Sequence, residues 1–230
     1  MNPGPAQRIL YIPFDQLHRD YGVLKGADKA TDVIAMIESQ AMVTGANWHP
    51  ERLFFLISSA RHFAKELQNE GFTVDYRKAT NTPTGLQEIQ KEHQGAPIIC
   101  AEQSSFRLTD KLASLNAEFI PNDFFLTPRD LFASWANTQK SYLMENFYRK
   151  QRLRLNILME GDQPAGGAWN FDKDNRLPPP KNYTWPAYLE HSRDEIDTEV
   201  AKELKMSPTT TWATTRKGAL AQLDYFIKKH

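Results

Sequence analysis

Between Arg8 and about Asn137, short apolar runs alternate with amphipathic stretches, which is the pattern of a parallel sheet joined by crossover helices. The runs Ile9-Leu10-Tyr11-Ile12, Val33-Ile34-Ala35-Met36-Ile37, Phe72-Thr73-Val74-Asp75-Tyr76 and Ile98-Ile99-Cys100 predict four strands, with a short fifth near Glu118-Phe119-Ile120. Leu53, Leu56, Ile57, Ala60, Phe63, Ala64 and Leu67 recur at helical spacing, and Gly71 supplies a stop. Shorter crossover helices are predicted over 86–93 and 108–115. Thr127-Pro128-Arg129-Asp130 then opens another helix with a threonine cap and a proline in its first turn. The fold class expected is α/β: a Rossmann-like (flavodoxin-like) parallel sheet with flanking helices over residues 1–137.

The pattern changes after that point. A helix over about 142–159 is followed by a stretch rich in proline, glycine and polar residues over 161–183, so 138–193 reads as a linking helix and a long interdomain loop. Amphipathic stretches over 195–204 and 214–227 read as the opening helices of a second, helical domain, incomplete at residue 230. No internal repeat or low-complexity tract is present.

Composition narrows the function. The chain carries 28 basic and 28 acidic residues, so no net field draws it to nucleic acid or an anionic membrane, and any such contact rests on a local patch. No apolar run approaches the roughly 18 residues of a membrane span, and the start Met1-Asn2-Pro3-Gly4-Pro5 lacks the regions of a signal peptide. A cytoplasmic location is expected. The single cysteine, Cys100, lies in the apolar run Pro97-Ile98-Ile99-Cys100-Ala101 and is expected to be buried and inert. One thiol excludes an internal disulfide framework and any iron–sulfur cluster or zinc ribbon built from this chain's own thiolates.

In open α/β sheets, ligands sit at the carboxyl ends of the strands. The residues just after strands here are Asp15-Gln16, Glu38 to Gln40 and Glu102-Gln103. Neither a G-x-G-x-x-G nor a G-x-x-x-x-G-K-[ST] loop follows the first strand, which argues against a dinucleotide enzyme. Ser58-Ser59 precede His62, but no G-x-S-x-G turn exposes a serine, so His62 is expected to be a surface or packing residue. The six histidines show no H-x-x-x-H or H-x-H spacing, and no metal site is expected. Asp172-Lys173-Asp174-Asn175 fails as a calcium loop, with Leu177 where glycine is needed and Tyr183 where glutamate is needed. The stretch Tyr148-Arg149-Lys150-Gln151-Arg152-Leu153-Arg154, with Phe147 and Trp169, reads either as a phosphate-binding stripe or as a solvated helix face.

The run from Leu158 to Arg176 contains Gly161-Asp162-Gln163-Pro164-Ala165-Gly166-Gly167-Ala168-Trp169-Asn170-Phe171-Asp172 followed by Asn175-Arg176. It resembles the signature of the deoxyribodipyrimidine photolyase-related proteins, the bacterial cryptochromes and (6-4) photolyases that carry an iron–sulfur cluster. Supporting matches are Asp15-Gln16-Leu17, Ala60-Arg61-His62-Phe63-Ala64, Met144-Glu145-Asn146-Phe147-Tyr148-Arg149 and Thr215-Arg216.

The resemblance implies light-dependent DNA repair or blue-light sensing, with an amino-terminal antenna domain followed by a helical domain that holds FAD and a 4Fe-4S cluster. FAD and the cluster are not expected in this chain, which reads as an amino-terminal portion that is a fragment, a truncated product or a naturally short protein, inactive by itself. A missing catalytic domain, or a partner that replaces it, is implied, and DNA enters through the full-length architecture. The implied antenna pigment is 6,7-dimethyl-8-ribityllumazine, with Asp15, Gln16, Ile37, Glu38 and Glu102 as its binding residues. Arg149, Lys150, Arg152, Arg154, Trp169 and Arg176 are the implied nucleic-acid contacts. The chain has Met42 and Gly45 where the family usually has glutamate and tyrosine, and Phe14 in place of glycine before Asp15-Gln16-Leu17. The alternative is a non-enzymatic α/β module that binds a ligand or partner and no chromophore.

Overall fold

The computed structural model describes residues 5–172 and 177–229. Five parallel strands, β1 (Arg8–Tyr11), β2 (Asp32–Ser39), β3 (Thr73–Ala79), β4 (Ile98–Ala101) and β5 (Glu118–Ile120), form a sheet of order β3-β2-β1-β4-β5. This is the Rossmann order, rather than the 2-1-3-4-5 order of a flavodoxin. All five strands fall where the apolar runs place them.

Side-chain alternation along the strands builds two cores. Ile9, Tyr11, Val33, Ala35 and Ile37 face Leu86, Ile89 and Leu112, which belong to α3 (Thr82–Glu92) and α4 (Phe106–Ala113). Leu10, Ile12, Ile34 and Met36 face Ala60, Phe63, Ala64 and Leu67 of α2 (Pro50–Asn69). Every residue of β2 is buried, as expected of a parallel strand covered on both faces. The Arg8 guanidinium bonds Asp32 Oδ1 at 2.9 Å, so the carboxylate that opens β2 is buried with a charged partner.

Helix α2 starts at Pro50, three residues ahead of its first apolar position, because His49 caps it and Pro50 opens its first turn. Its end follows the predicted stop. Gly71 (φ +92°) donates to Gln68 O and Phe72 to Leu67 O, the paired bonds of a Schellman motif that turns the chain into β3. A short helix absent from the sequence pattern, α1 (Gln40–Thr44), follows β2 directly because Ser39 Oγ accepts the Met42 N–H at 3.2 Å.

Two compact units divide the chain, one formed by 1–124 with 187–230 and the other by 125–186. These limits do not coincide with the expected boundaries near 137 and 193. Helices α7 (Glu195–Glu203) and α8 (Arg216–Lys229) belong to the same compact unit as the sheet. The reason is local: Val200, fully buried, packs with Phe54 and Ile57 of α2, while Glu51 accepts from Thr209 N at 2.7 Å and Thr210 Oγ1 at 3.0 Å.

In the second unit, α5 (Arg129–Ala136) is preceded by Pro128, whose side chain cannot cap. Thr127 Oγ1 instead donates to Gln151 Oε1 at 3.3 Å, which corrects the threonine-cap expectation. Helix α6 (Met144–Leu155) ends earlier than expected, because Asn156 adopts a left-handed conformation and Met159–Glu160 (β6) turns back to pair with Gln163–Pro164 (β7). Trp135 and Phe147 pack at 4.7 Å between ring centroids, with Phe132 against both.

Candidate functional site

A cavity of about 370 Å³ opens at the carboxyl ends of β1 and β2, within the range typical of ligand sites. Its apolar wall is Tyr11, Phe14, Ile37, Met42 and Leu56, and its polar rim is Asp15, Asn81, Thr82 and Ser105, with Arg52, Arg107 and Lys111 at the edge. Sequence order explains the placement. Pro13 follows β1 and turns the chain so that Phe14 stacks on Tyr76, centroids 6.0 Å apart, while Ser39 winds α1 immediately after β2 and brings Met42 to the opening. Trp48 Nε1 then donates to Met42 O at 2.7 Å, with Arg52 above the Trp48 ring. Burial pushes the Tyr11 hydroxyl well above its ordinary range, opposed by a hydrogen bond with Thr82, so Tyr11 presents a neutral O–H to the cavity.

Of the five residues expected around a pigment, the structure brings two to this cavity, Asp15 and Ile37. Glu38 points to the other side of the sheet, as the residue after Ile37 in a strand must. There it accepts Arg61 Nη2 at 3.0 Å and the Tyr76 hydroxyl at 2.7 Å, and Arg61 Nη2 also reaches Glu203 at 2.6 Å. Burial together with the Glu38 charge raises the Tyr76 hydroxyl, so it stays a donor. Gln16 is buried and its Nε2 donates to Glu102 O at 3.4 Å. Asn122 Nδ2 donates to the same carbonyl at 2.7 Å, so Glu102 serves there through its backbone. These three hold the strand ends in place and do not line the cavity. Sequence reasoning missed Tyr11, Leu56, Asn81, Arg52 and Arg107. The α3 cap Asn81, which accepts from Thr84 N at 2.9 Å, was readable from Asn81-Thr82-Pro83, whereas Arg52 and Arg107 carry no local signal.

In the second unit, the basic stretch is largely committed to its own loop. Arg152, buried, donates to the carbonyls of Leu158, Ile157 and Trp169. Arg154 Nη2 donates to Leu126 O at 2.6 Å and its Nε to Gln151 at 2.7 Å. Arg149 pairs with Glu145 at 2.5 Å, and Trp169 lies 5.3 Å from both the Arg149 and Arg152 guanidinium carbons. Lys150 is exposed. Arg176 lies outside the described residues. The signature run is thus held by Arg152, with Gly161 and Gly166 at positive φ in its turns and Asn170 Nδ2 donating to Glu145 at 2.8 Å.

Cys100 is fully buried and its thiol is pushed up to about 12 by burial. No helix among the described residues is long and apolar enough to cross a membrane.

A Rossmann-order α/β body with a ligand-sized cavity at its carboxyl edge, joined to an arginine-centred signature loop, defines the class of this protein. The sequence model of the family described as deoxyribodipyrimidine photo-lyase-related protein matches residues 10–217, so the chain belongs to that family. It is 32% identical over 205 residues to a (6-4) photolyase of Agrobacterium fabrum (strain C58 / ATCC 33970), a match that covers 84% of this chain and 40% of the photolyase. This chain thus spans about two fifths of that relative's length. It is also 26% identical over 185 residues to uncharacterized protein R852 of Acanthamoeba polyphaga mimivirus, covering 76% of this chain and 90% of the viral protein.

Proposed function

We propose that this chain is the antenna part of a light-dependent DNA-repair or blue-light-sensing flavoprotein, without the FAD-binding core, and that its cavity takes a heteroaromatic pigment of the ribityllumazine type. The observation that carries the reading is the cavity itself: Tyr11, Phe14 and Leu56 offer apolar surface to a planar ring, while Asp15, Asn81, Thr82 and Ser105 offer hydrogen-bond partners to a hydroxylated chain. When bound, such a pigment supplies absorption of blue light and nothing covalent. The residues here bind and orient it and exclude water.

A 4Fe-4S cluster does not fit this chain's own residues. The one thiol is buried in β4, and a cluster of that kind needs several thiolates. In this reading DNA would meet the chain through Lys150 and Arg149 rather than through the committed Arg152 and Arg154. The exposed Trp212, Leu220, Leu223 and Ile227 form an apolar surface of the kind that a further domain or a partner covers, which favours a chain that depends on such a neighbour over a self-sufficient module without pigment.

The test is the near-ultraviolet and visible absorption spectrum of the purified chain before and after acid release of bound compounds. A released lumazine band supports the antenna reading. A colourless protein that also stays colourless after incubation with the lumazine turns the assignment to the module.

A further inference from the structure

A second cluster of chemistry-bearing groups lies away from the cavity, where α7 meets α2. One ligand atom each from His62, Asp194 and Asp197 lies within 4.8 Å of the others. The set is invisible to spacing rules, because 132 residues separate His62 from Asp194.

Three features make it more than an acidic cluster. His62 Nδ1 lies 2.8 Å from Ser58 O, a carbonyl that can only accept, so Nδ1 carries the proton. In the neutral ring Nε2 then presents a lone pair to Asp194 Oδ2 at 2.8 Å, two acceptors face to face. The capping box of α7 uses the other oxygen of Asp194, Oδ1, on Asp197 N at 3.1 Å, and uses Asp197 Oδ2 on Asp194 N. Asp197 Oδ2 also accepts Thr214 Oγ1 at 3.2 Å. Asp197 is 3% exposed, and its remaining oxygen, Oδ1, is buried with no hydrogen-bond partner. A buried carboxylate oxygen without a partner is costly, and an ion that satisfies it removes the cost.

We infer that His62, Asp194 and Asp197 bind a zinc ion that fastens the first turn of α7 to α2. Imidazole nitrogen with carboxylate oxygens is a zinc donor set, and the carbonyl on the far ring nitrogen is the usual outer partner of a metal-bound histidine. Zinc bonds of about 2.1 Å place tetrahedral ligands about 3.4 Å apart. That lies between the 2.8 Å contact and the 4.8 Å spread seen here, so side-chain rotations suffice. The Asp194 side chain is 55% exposed, which gives the ion a path and leaves the fourth position to water. Arg193, the adjacent cation, is turned to the carbonyls of Thr210 and Trp212 and does not compete. The positive end of α7 opposes the ion only weakly beside the binding energy of a three-ligand zinc site.

The experiment uses the whole chain, stripped with chelator and titrated with zinc chloride alone against a chromophoric competitor. One equivalent bound, with a raised melting temperature, is expected. Asp194→Asn keeps the N-cap but removes one ligand, and is expected to weaken zinc at least about 10-fold. His62→Gln repeats the test should Asp194→Asn fail to fold. Zinc uptake that is absent, or equal in the chain and in both variants, overturns the inference. Nitrogen NMR adds an independent readout: a His62 ring protonated on both nitrogens that zinc does not displace would show an ion pair with Asp194 and no metal site.

Discussion

Replacing Glu38 by alanine separates two accounts of the same residue. Glu38 lies next to the carboxyl end of β2 and is among the expected pigment ligands, yet its carboxylate joins Arg61 and Tyr76 and does not line the cavity. The Arg61 and Glu38 side chains are 10% and 9% exposed, so the pair is buried. Removing one member of a buried pair costs about 3–5 kcal/mol, because the other charge is left in a poor solvent. Arg61 keeps Glu203 at 2.6 Å, which places the expected loss at the low end, about 3 kcal/mol. For a body of this size that is a fall in melting temperature of about 6–12 °C. Thermal unfolding followed by circular dichroism measures it, alongside a lumazine titration of the variant below its transition. The expected result is a large loss of stability with ligand affinity unchanged within about twofold. An unchanged melting temperature with affinity lost would refute the reasoning and return Glu38 to the ligand site.

Other consequences follow from the same contacts. Glu51 is lifted by burial but lowered further by hydrogen bonds from Thr209 and Thr210, and Glu203 is lifted by burial but lowered by Arg61 and Lys78, so both net values are depressed. Their stabilisation is fully present above the unfolded value of about 4.3 and drains as pH falls through the depressed folded values. Acid titration followed by fluorescence of Trp212, which packs on Phe55, should therefore show this segment releasing below about pH 4; a release near neutrality instead would contradict the sign. Cys100, with its thiol near 12, should resist a thiol reagent at pH 8 in the native chain and react at once in denaturant. Arg152→Ala removes charged donors from the carbonyls of Ile157, Leu158 and Trp169 and is expected to cost the second unit about 2–4 kcal/mol. Limited proteolysis should then cut within 156–172, and an unchanged digest would contradict the role given to Arg152.

The sheet was legible because β1, β2 and β4 are nearly unbroken apolar runs, and burial on both faces demands that composition. What periodicity could not show was where α7 and α8 go. Val200 and Leu204 are an ordinary amphipathic pair in sequence, and only the apolar face of α2, with Glu51 and Arg61 as anchors, ties them to the sheet unit. The same limit applies to the site. Ile37 and Glu38 are adjacent and both end a strand at the correct edge, but alternation sends one to the cavity and the other to the arginine network. Asp15 was readable as a residue following a strand, whereas Arg52 and Arg107 reach the cavity from separate helices whose packing no local pattern encodes. The basic stretch on α6 meets the same limit: sequence reports charge but not the loop carbonyls that Arg152 and Arg154 satisfy.

The central claim, a pigment seated in the cavity at the carboxyl edge, is tested most directly by equilibrium dialysis of the chain against 6,7-dimethyl-8-ribityllumazine, in parallel with an Ala41→Trp variant that fills the opening. The account predicts saturable binding of one equivalent by the chain and none by the variant at unchanged melting temperature. Binding of equal strength by both, or by neither, would contradict it.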